Sequence, residues 1–377
     1  MFLAGLSMVF ARALLGQEVV NRAAECGQCT IERHTVAVLG RDQGGQLAAP
    51  LGVVGITAGH DQTLIGVVLG GRGTPLVFTA NGRFVRTIGR AGRGPGEYIA
   101  PRDILRWRGD SILVADPSIG RFSVLSPSYQ YVRSLPFTLP SFESVTALPG
   151  GELVVNVYLS DKAVVGFPLH VIDPDGKRLR SFGSERPVVS PGTVHEMARF
   201  ITSSDGVVWS ATPFGDYTIE GWDVETGTLK QRIRRIADFY REGPRQAPTP
   251  KDPPSPAIAG IFAEGRYLWV FVAVPANRWH RGLARNPVRG EGGGAVYRVE
   301  NANLVYDTVV EVFDTKTGKL HASARFDEFM SAPLGASPFG LWRVETDAGI
   351  VETTVARFAI VGSSSRRSGG RAFPMNK

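Results

Sequence analysis

The sequence is poor in the residues that most often announce chemistry. Only two cysteines occur among 377 residues, Cys26 and Cys29, set as Cys-Gly-Gln-Cys. A haem attachment site needs a histidine directly after the second cysteine, and that position is Thr30. A zinc site needs further ligands, and no histidine pair stands near these cysteines in the sequence. A thioredoxin-type motif would lie between a strand and a helix, whereas the strand-like run 30–39 follows here. The remaining reading is a small-loop disulfide joining Cys26 to Cys29 in an oxidising compartment, with no metal. The six histidines, at 34, 60, 170, 195, 280 and 321, show neither ligand spacing nor an HExxH pattern. No Gly-x-Ser-x-Gly elbow is present, which excludes the common α/β serine hydrolase. No window approaches the roughly 18 uninterrupted apolar residues of a spanning helix, so no membrane span is expected.

Charge is present but dispersed. The formal net charge is +7, carried mainly by arginine, with lysine scarce. Nowhere do basic and aromatic residues interleave densely, as they do on an RNA-binding surface. No nucleic-acid partner is expected, and no cofactor. The N-terminus, MFLAGLSMVFARALLGQEVV, has a short apolar run at 2–10 and small residues near 13–17. Residues 1–25 therefore read as a signal or leader segment, and the protein as exported to the periplasm or beyond. The polar tail 363–377 reads as disordered.

What the chain does have is glycine (45), proline (25) and repetition. A short apolar strand leads to a second strand, a turn of the Asp-x-x-Gly type, and a more polar third strand. The apolar strands begin near 64, 112, 153, 207, 267 and 340. Turns at 79–82, 173–176, 223–227 and 314–318 put Asn, Asp and Gly where a hairpin needs positive φ. The spacing is too irregular for a solenoid and suits a radial array with variable loops. Six such units bury their faces only when packed around an axis, which predicts an all-β, six-bladed β-propeller spanning 26–362. The sixth unit lacks an outer strand, while "TIERHTVAVLG" (30–40) has no partner. That N-terminal strand is expected to complete the last blade and close the ring. Two segments, 229–242 and 193–202, could turn helical.

The stretch "TIGRAGRGPGEYIAPRDI" (87–104) raises the question of a phosphate loop. From Gly92 the sixth place of a dinucleotide fingerprint is Glu97, and a P-loop lysine is missing. Pro95 and Pro101 break any following helix. The stretch reads instead as the crossing from the last strand of blade one to the first strand of blade two. Arg90, Arg93, Glu97, Tyr98 and Arg102 are the ligand-binding candidates there, with Glu97 either an anchor of the glycine turn or a ligand at the channel mouth. Asp103, Asp116, Asn156, Asp216, Asn277 and Asp347 could be gathered around a channel metal, although nothing in their spacing selects them. Trp209, Trp269 and Trp342 occupy equivalent places in apolar strands and read as core.

At "IGRAGRGPGEYIAPRDI…GDSILVADPSIGRFSVLSP" the chain resembles bacterial six-bladed β-propeller proteins related to NHL repeats, over roughly residues 26–361. The most specific piece is Gly94-Pro95-Gly96-Glu97-Tyr98, followed by Pro101 and the strand 112–116. The segment 306–326 looks like that family's fifth blade. The resemblance implies the fold and an exported location. It carries over no catalytic residue, because most members have no assigned activity. The expectation is a monomeric, non-enzymatic binding module for a protein, peptide or glycan. The alternative is a metal-dependent, lactonase-like hydrolase or lyase.

Overall fold

The computed structural model describes residues 16–40, 53–59, 63–68, 73–136, 143–184, 198–243, 246–289, 295–332, 339–345 and 351–362. Two strands come first, β1 (Gln17–Asn21) and β2 (Thr30–Leu39). Blade one is β3 (Val53–Ala58), β4 (Leu64–Val68), β5 (Leu76–Phe78) and β6 (Phe84–Thr87). Two short parallel strands follow, β7 (Arg90–Ala91) and β8 (Glu97–Tyr98). Blade two is β9 (Asp103–Arg106), β10 (Ile112–Asp116), β11 (Arg121–Leu125) and β12 (Tyr131–Ser134). Blade three is β13 (Ser144–Ala147), β14 (Leu153–Asn156), β15 (Leu169–Ile172) and β16 (Arg178–Phe182).

Blade four is β17 (Phe200–Ser204), β18 (Val207–Ala211), β19 (Thr218–Asp223) and β20 (Leu229–Arg235). Blade five starts with β21 (Ala257–Glu264) and β22 (Tyr267–Pro275). A side hairpin, β23 (Leu283–Arg289) with β24 (Ala295–Val299), and the one-turn helix α1 (Ala302–Val305) interrupt it. It finishes with β25 (Tyr306–Asp314) and β26 (Leu320–Phe326). Blade six has β27 (Gly340–Glu345) and β28 (Val351–Val361), and Ser331 bridges to Leu341 in the innermost place. Among the described residues no helix is long and apolar enough to cross a membrane.

The hairpin chemistry read from the sequence joins the third strand to the fourth. Asp173, Asp223 and Asp314 each turn a carboxylate oxygen onto following backbone N–H groups, at 2.7–3.0 Å. Gly176, Gly227 and Gly318 then take positive φ (86°, 71° and 68°), where a side chain would be strained. The apolar strands seen in the sequence are the second of each blade. A strand of more mixed composition (β3, β9, β13, β17 or β21) lies inside each of the first five. The segment 229–242 is strand to Arg235 and turn beyond it, not helix, because Arg232 and Arg234 pair along β19. Residues 200–204 are strand as well, and 193–197 lie outside the described residues.

Between neighbouring blades lie six apolar clusters, one for each interface of the ring. Ile65 and Val77 meet Ile104 and Val114 between blades one and two. Leu105 and Phe122 meet Val145 and Val155, and Val171 and Phe182 meet Val208 and Trp222. Trp209 and Ile233 meet Leu268 and Phe313; Trp269 and Phe271 meet Met330 and Phe358. Phe339 and Leu341 meet Ile56 and Phe78 across the junction of blades six and one. Trp209 and Trp269 are core, as expected; the Trp342 side chain lies outside the described residues.

The N-terminal strand closes the ring: β2 runs antiparallel to β28, with Ile31 opposite Ile360 and Leu39 opposite Thr353. Ile31 enters the cluster between blades five and six, and Ala37 and Leu39 enter the one between six and one. The segment before it wraps the rim. β1 adds to blade four as a fifth strand, parallel to β20. Asn21 then spans to blade five, accepting from Leu320 N (2.8 Å) and donating to Gly318 O (2.9 Å). The folded part thus begins ahead of Cys26, within the segment read as leader. Residues 1–15 and 363–377 lie outside the described residues.

Arg235 locks this strap. Its guanidinium bonds both oxygens of the fully buried Glu311 (3.0 and 3.2 Å) and the carbonyl of Arg22 (2.9 Å). Removing one member of a buried pair strands the other charge, at about 3–5 kcal/mol. Arg235→Ala is therefore expected to lower stability by about that much in urea unfolding followed by tryptophan fluorescence. The double change Arg235→Met with Glu311→Leu should recover most of the loss. A single-variant loss below about 1 kcal/mol would contradict the pair's role.

Candidate functional site

The crossing 87–104 leaves the rim at β6 and enters the axis at β9, as the sequence suggested. Its glycines serve an anion supplied by the loop itself. The Glu97 carboxylate folds back to accept from Gly94 N (2.6 Å) and Arg90 Nε (2.7 Å). These two donors hold its pKa below the usual carboxylate range. Gly92 (φ 151°) lies over that carboxylate, and a Cβ there would fall 2.1 Å from Glu97 Oε2. Arg121, on β11, donates to the carbonyls of Gly94 (2.6 Å) and Arg93. Asp116 accepts from Ile99 N (2.7 Å) and Ala100 N (3.2 Å).

Tyr98 is buried in the cluster between blades one and two, and burial pushes its phenol up to about 12. It faces the core, away from any ligand on the surface. The Arg90 and Arg93 side chains are exposed, with Arg90 paired to Glu97. Arg102 lies deeper, at the start of the innermost strand, 3.7 Å from Asp103 and 3.7 Å from Glu143 of the next blade. The structure therefore brings Arg90 and Glu97 together in one knob and sets Arg102 apart at the channel mouth.

Asp103 is fully buried there. Burial raises its carboxyl to about 6, with Arg102 opposing the rise. Asn156 binds blade three to blade four, donating to Pro168 O (2.8 Å) and accepting from Arg199 N (2.8 Å). Asp103, Asp116 and Asn156, three of the residues weighed as channel ligands, are thus engaged in or buried within the blade junctions. Asp347 lies outside the described residues, as do His60 and His195. His170 is buried between Ser181 Oγ (2.8 Å) and Val157 O (3.2 Å), and burial lowers its pKa to about 4.

The opposite end of the channel has a different character. There the turns joining first and second strands of blades two, three and four surround a cavity of about 560 Å³. Its lining includes Arg106, Trp107, Arg108, Asp110, Ser203 and Asp205. Trp107 is fixed by its indole N–H, which donates to Gly151 O of the neighbouring blade (2.9 Å). Arg108 and Arg133 lie 6.0 and 5.8 Å from its ring centre, within cation–π range. Arg106 pairs with Asp110 (2.8 Å). Asp110 (φ 61°) and Asp205 (φ 49°) hold positive φ beside Gly109 and Gly206, in the tight hairpin turns that aim these side chains into the cavity mouth. Trp107, Arg108 and Asp205 were not singled out in the sequence. The available signal was the turn dipeptides Gly109-Asp110 and Asp205-Gly206 directly ahead of the apolar strands.

Away from both mouths, on the rim, Cys26 and Cys29 form the expected disulfide. Cys29 Sγ lies 3.9 Å from His321 Nε2 of β26.

Residues 72–234 match the model of a family described as 6-bladed beta-propeller. No curated protein matches the sequence. Among solved structures, a Bacteroides fragilis protein described as exported aligns at TM-score 0.54 and 13% identity, over 91% of this chain and 99% of that one. A member of the DUF4221 family from Bacteroides vulgatus aligns at TM-score 0.56 and 10% identity, over 89% and 99%. Virginiamycin B lyase from Staphylococcus aureus aligns at TM-score 0.42 and 10% identity, over 87% and 99%. The resemblance to bacterial six-bladed propellers therefore holds, and at these identities the likeness to the two Bacteroides structures speaks for the fold alone.

The raised carboxyl of Asp103 has a measurable consequence. An acid whose folded value exceeds its unfolded one favours the fold when protonated, so this contribution is complete below about pH 4 and is lost as the pH rises past 6. Asp103→Asn keeps the neutral form at every pH. It is expected to be more stable than the parent by about 2–3 kcal/mol at pH 7.5, with the difference vanishing below pH 4. Equal stabilities at both pH values in urea titrations would contradict the assignment.

Proposed function

We propose that this six-bladed β-propeller is an exported binding module that takes a protein, peptide or glycan at the channel mouth formed by blades two to four. The observation that carries this reading is the cavity walled by Trp107 and Arg108. Aromatic and arginine side chains supply most of the energy at recognition surfaces. Arg108 is exposed and makes no ion pair among the described residues, so its charge is available to a carboxylate or another acceptor on the ligand. The exposed carboxylate of Asp205 adds hydrogen-bonding capacity at the edge. Arg93 and Arg102, at the other end, would form a secondary contact surface.

Export is supported by the apolar N-terminal run and by the Cys26–Cys29 disulfide. A role in binding, rather than metal-assisted hydrolysis, is supported by the engagement of Asp116 and Asn156 at the blade junctions. No step of a reaction is assigned to any residue.

Trp107→Ala and Arg108→Glu are the variants of choice. In capture from the native envelope fraction, followed by titration with the captured species, each is expected to weaken binding at least about tenfold. Arg108→Glu should lower the melting temperature by only a few degrees, because the side chain is exposed and its contact with the Trp107 ring is worth about 0.5–1 kcal/mol. Unaltered affinity in both variants would overturn the site. Stoichiometric calcium or zinc bound by inward carboxylates, seen in elemental analysis with a Asp103→Asn control, would overturn the non-enzymatic reading.

A further inference from the structure

The rim carries a cluster that the binding reading does not use. Cys26 Sγ, Cys29 Sγ and His321 Nε2 all lie within 4.8 Å of one another, and no other described group of three metal-capable side chains is this close. The two cysteines belong to the strap between β1 and β2; the histidine belongs to the outermost strand of blade five. We propose that this cluster is a redox-gated site for a soft or borderline divalent metal, closed in the disulfide form and opened by reduction.

The donor set fits. Two thiolates and one imidazole are the ligands preferred by zinc and cobalt(II), with a fourth tetrahedral position left for water. The spacing fits as well. Cys29 N donates to Cys26 O (3.2 Å), so the two side chains leave the same face of one tight turn, with Cα atoms 5.3 Å apart.

The site would survive opening, because the turn is held independently of the sulfur bond. Glu25 N and Cys26 N donate to Leu320 O (2.8 Å) and His321 O (3.3 Å), which pins the strap beside the histidine strand. Asn21 and Arg235 anchor the chain on one side, and the long pairing of β2 with β28 anchors it on the other. The Tyr267 ring, 5.3 Å from the His321 ring, holds the imidazole in place. Cys26, Cys29 and His321 are each partly exposed, so reductant and metal can reach them.

The chemistry balances with a dithiol as the reductant. One thiolate of the dithiol attacks a cystine sulfur, the Cys26–Cys29 bond breaks, and the dithiol closes to its own disulfide. Two electrons and two protons pass to Cys26 and Cys29. Binding of a divalent metal then releases two protons as both thiols become thiolates, while neutral His321 donates its Nε2 lone pair.

The test reduces the full-length protein with dithiothreitol, desalts it anaerobically and titrates cobalt(II), reading the thiolate-to-cobalt charge-transfer absorption and then its loss to zinc. The expected result is one equivalent bound by the reduced protein and none by the oxidised protein. His321→Gln should bind at least about tenfold more weakly, since even loss of an outer-shell partner costs that much. Cys26→Ser with Cys29→Ser should show no charge-transfer band. Binding by reduced parent no stronger than by the double serine variant would overturn the proposal. So would equal affinity and an identical spectrum for His321→Gln, because the histidine would then not be a ligand.

Discussion

Every blade of this protein has two apolar faces, and only a closed ring covers all of them. That constraint sets the rest of the structure. Six inter-blade clusters follow one another around the axis, and none can be left open without exposing side chains such as Phe78, Trp209 or Phe271 to water. From Ser331 onward the described residues supply only a bridge and two strands of the last blade, and its outer strand comes from the other end of the chain. β2 meets that need, and its Ile31, Ala37 and Leu39 fill the clusters on both sides of blade six. The rim strap exists to deliver it. Asn21 and the Arg235–Glu311 pair hold the strap across blades four and five before β2 begins.

Closure also decides where function can lie. The blade crossings meet at one end of the channel, and their polar groups serve the joints. Glu97 binds its own loop, Asp116 holds the crossing that leads into its own blade, and Asn156 ties blade three to blade four. At the other end, short turns join the first strands of blades two to four to the second, over 107–111, 148–152 and 205–206. Trp107 and Arg108 are placed there, with Asp205 across the cavity and the Trp107 indole tied to Gly151 of blade three. The polar groups of one end are thus committed to the joints, while at the other Arg108 and Asp205 stand exposed beside the cavity.

Much of this was legible in the sequence, and for physical reasons. The second strands are buried on both faces and read as unbroken apolar runs, such as "ILVAD" and "YLWVFVAVP". The Asp-to-Gly turns repeat because the same backbone geometry recurs between third and fourth strands. The unpaired strand 30–40 identified the closure. The innermost strands were not legible: "DILR", "SVTA" and "FITSS" are short and mixed, since they face the channel on one edge. Missing them hid the turns that follow, and with them Trp107 and Arg108. Tyr98 shows the opposite error, because a tyrosine beside exposed arginines in the sequence lies in the core of the fold. The nearness of His321 to the cysteines could not be read at all, as 292 residues separate it from Cys29.

The central claim is that recognition occurs at the mouth of blades two to four and not on the glycine-rich crossing. Oxidative footprinting by mass spectrometry, with and without the species captured from the envelope fraction, tests this most directly. The account predicts protection of Trp107 and of the peptides around 106–110 and 203–206, with 90–102 unchanged. Protection confined to 90–102, with Trp107 oxidised as fast as in the free protein, would contradict it.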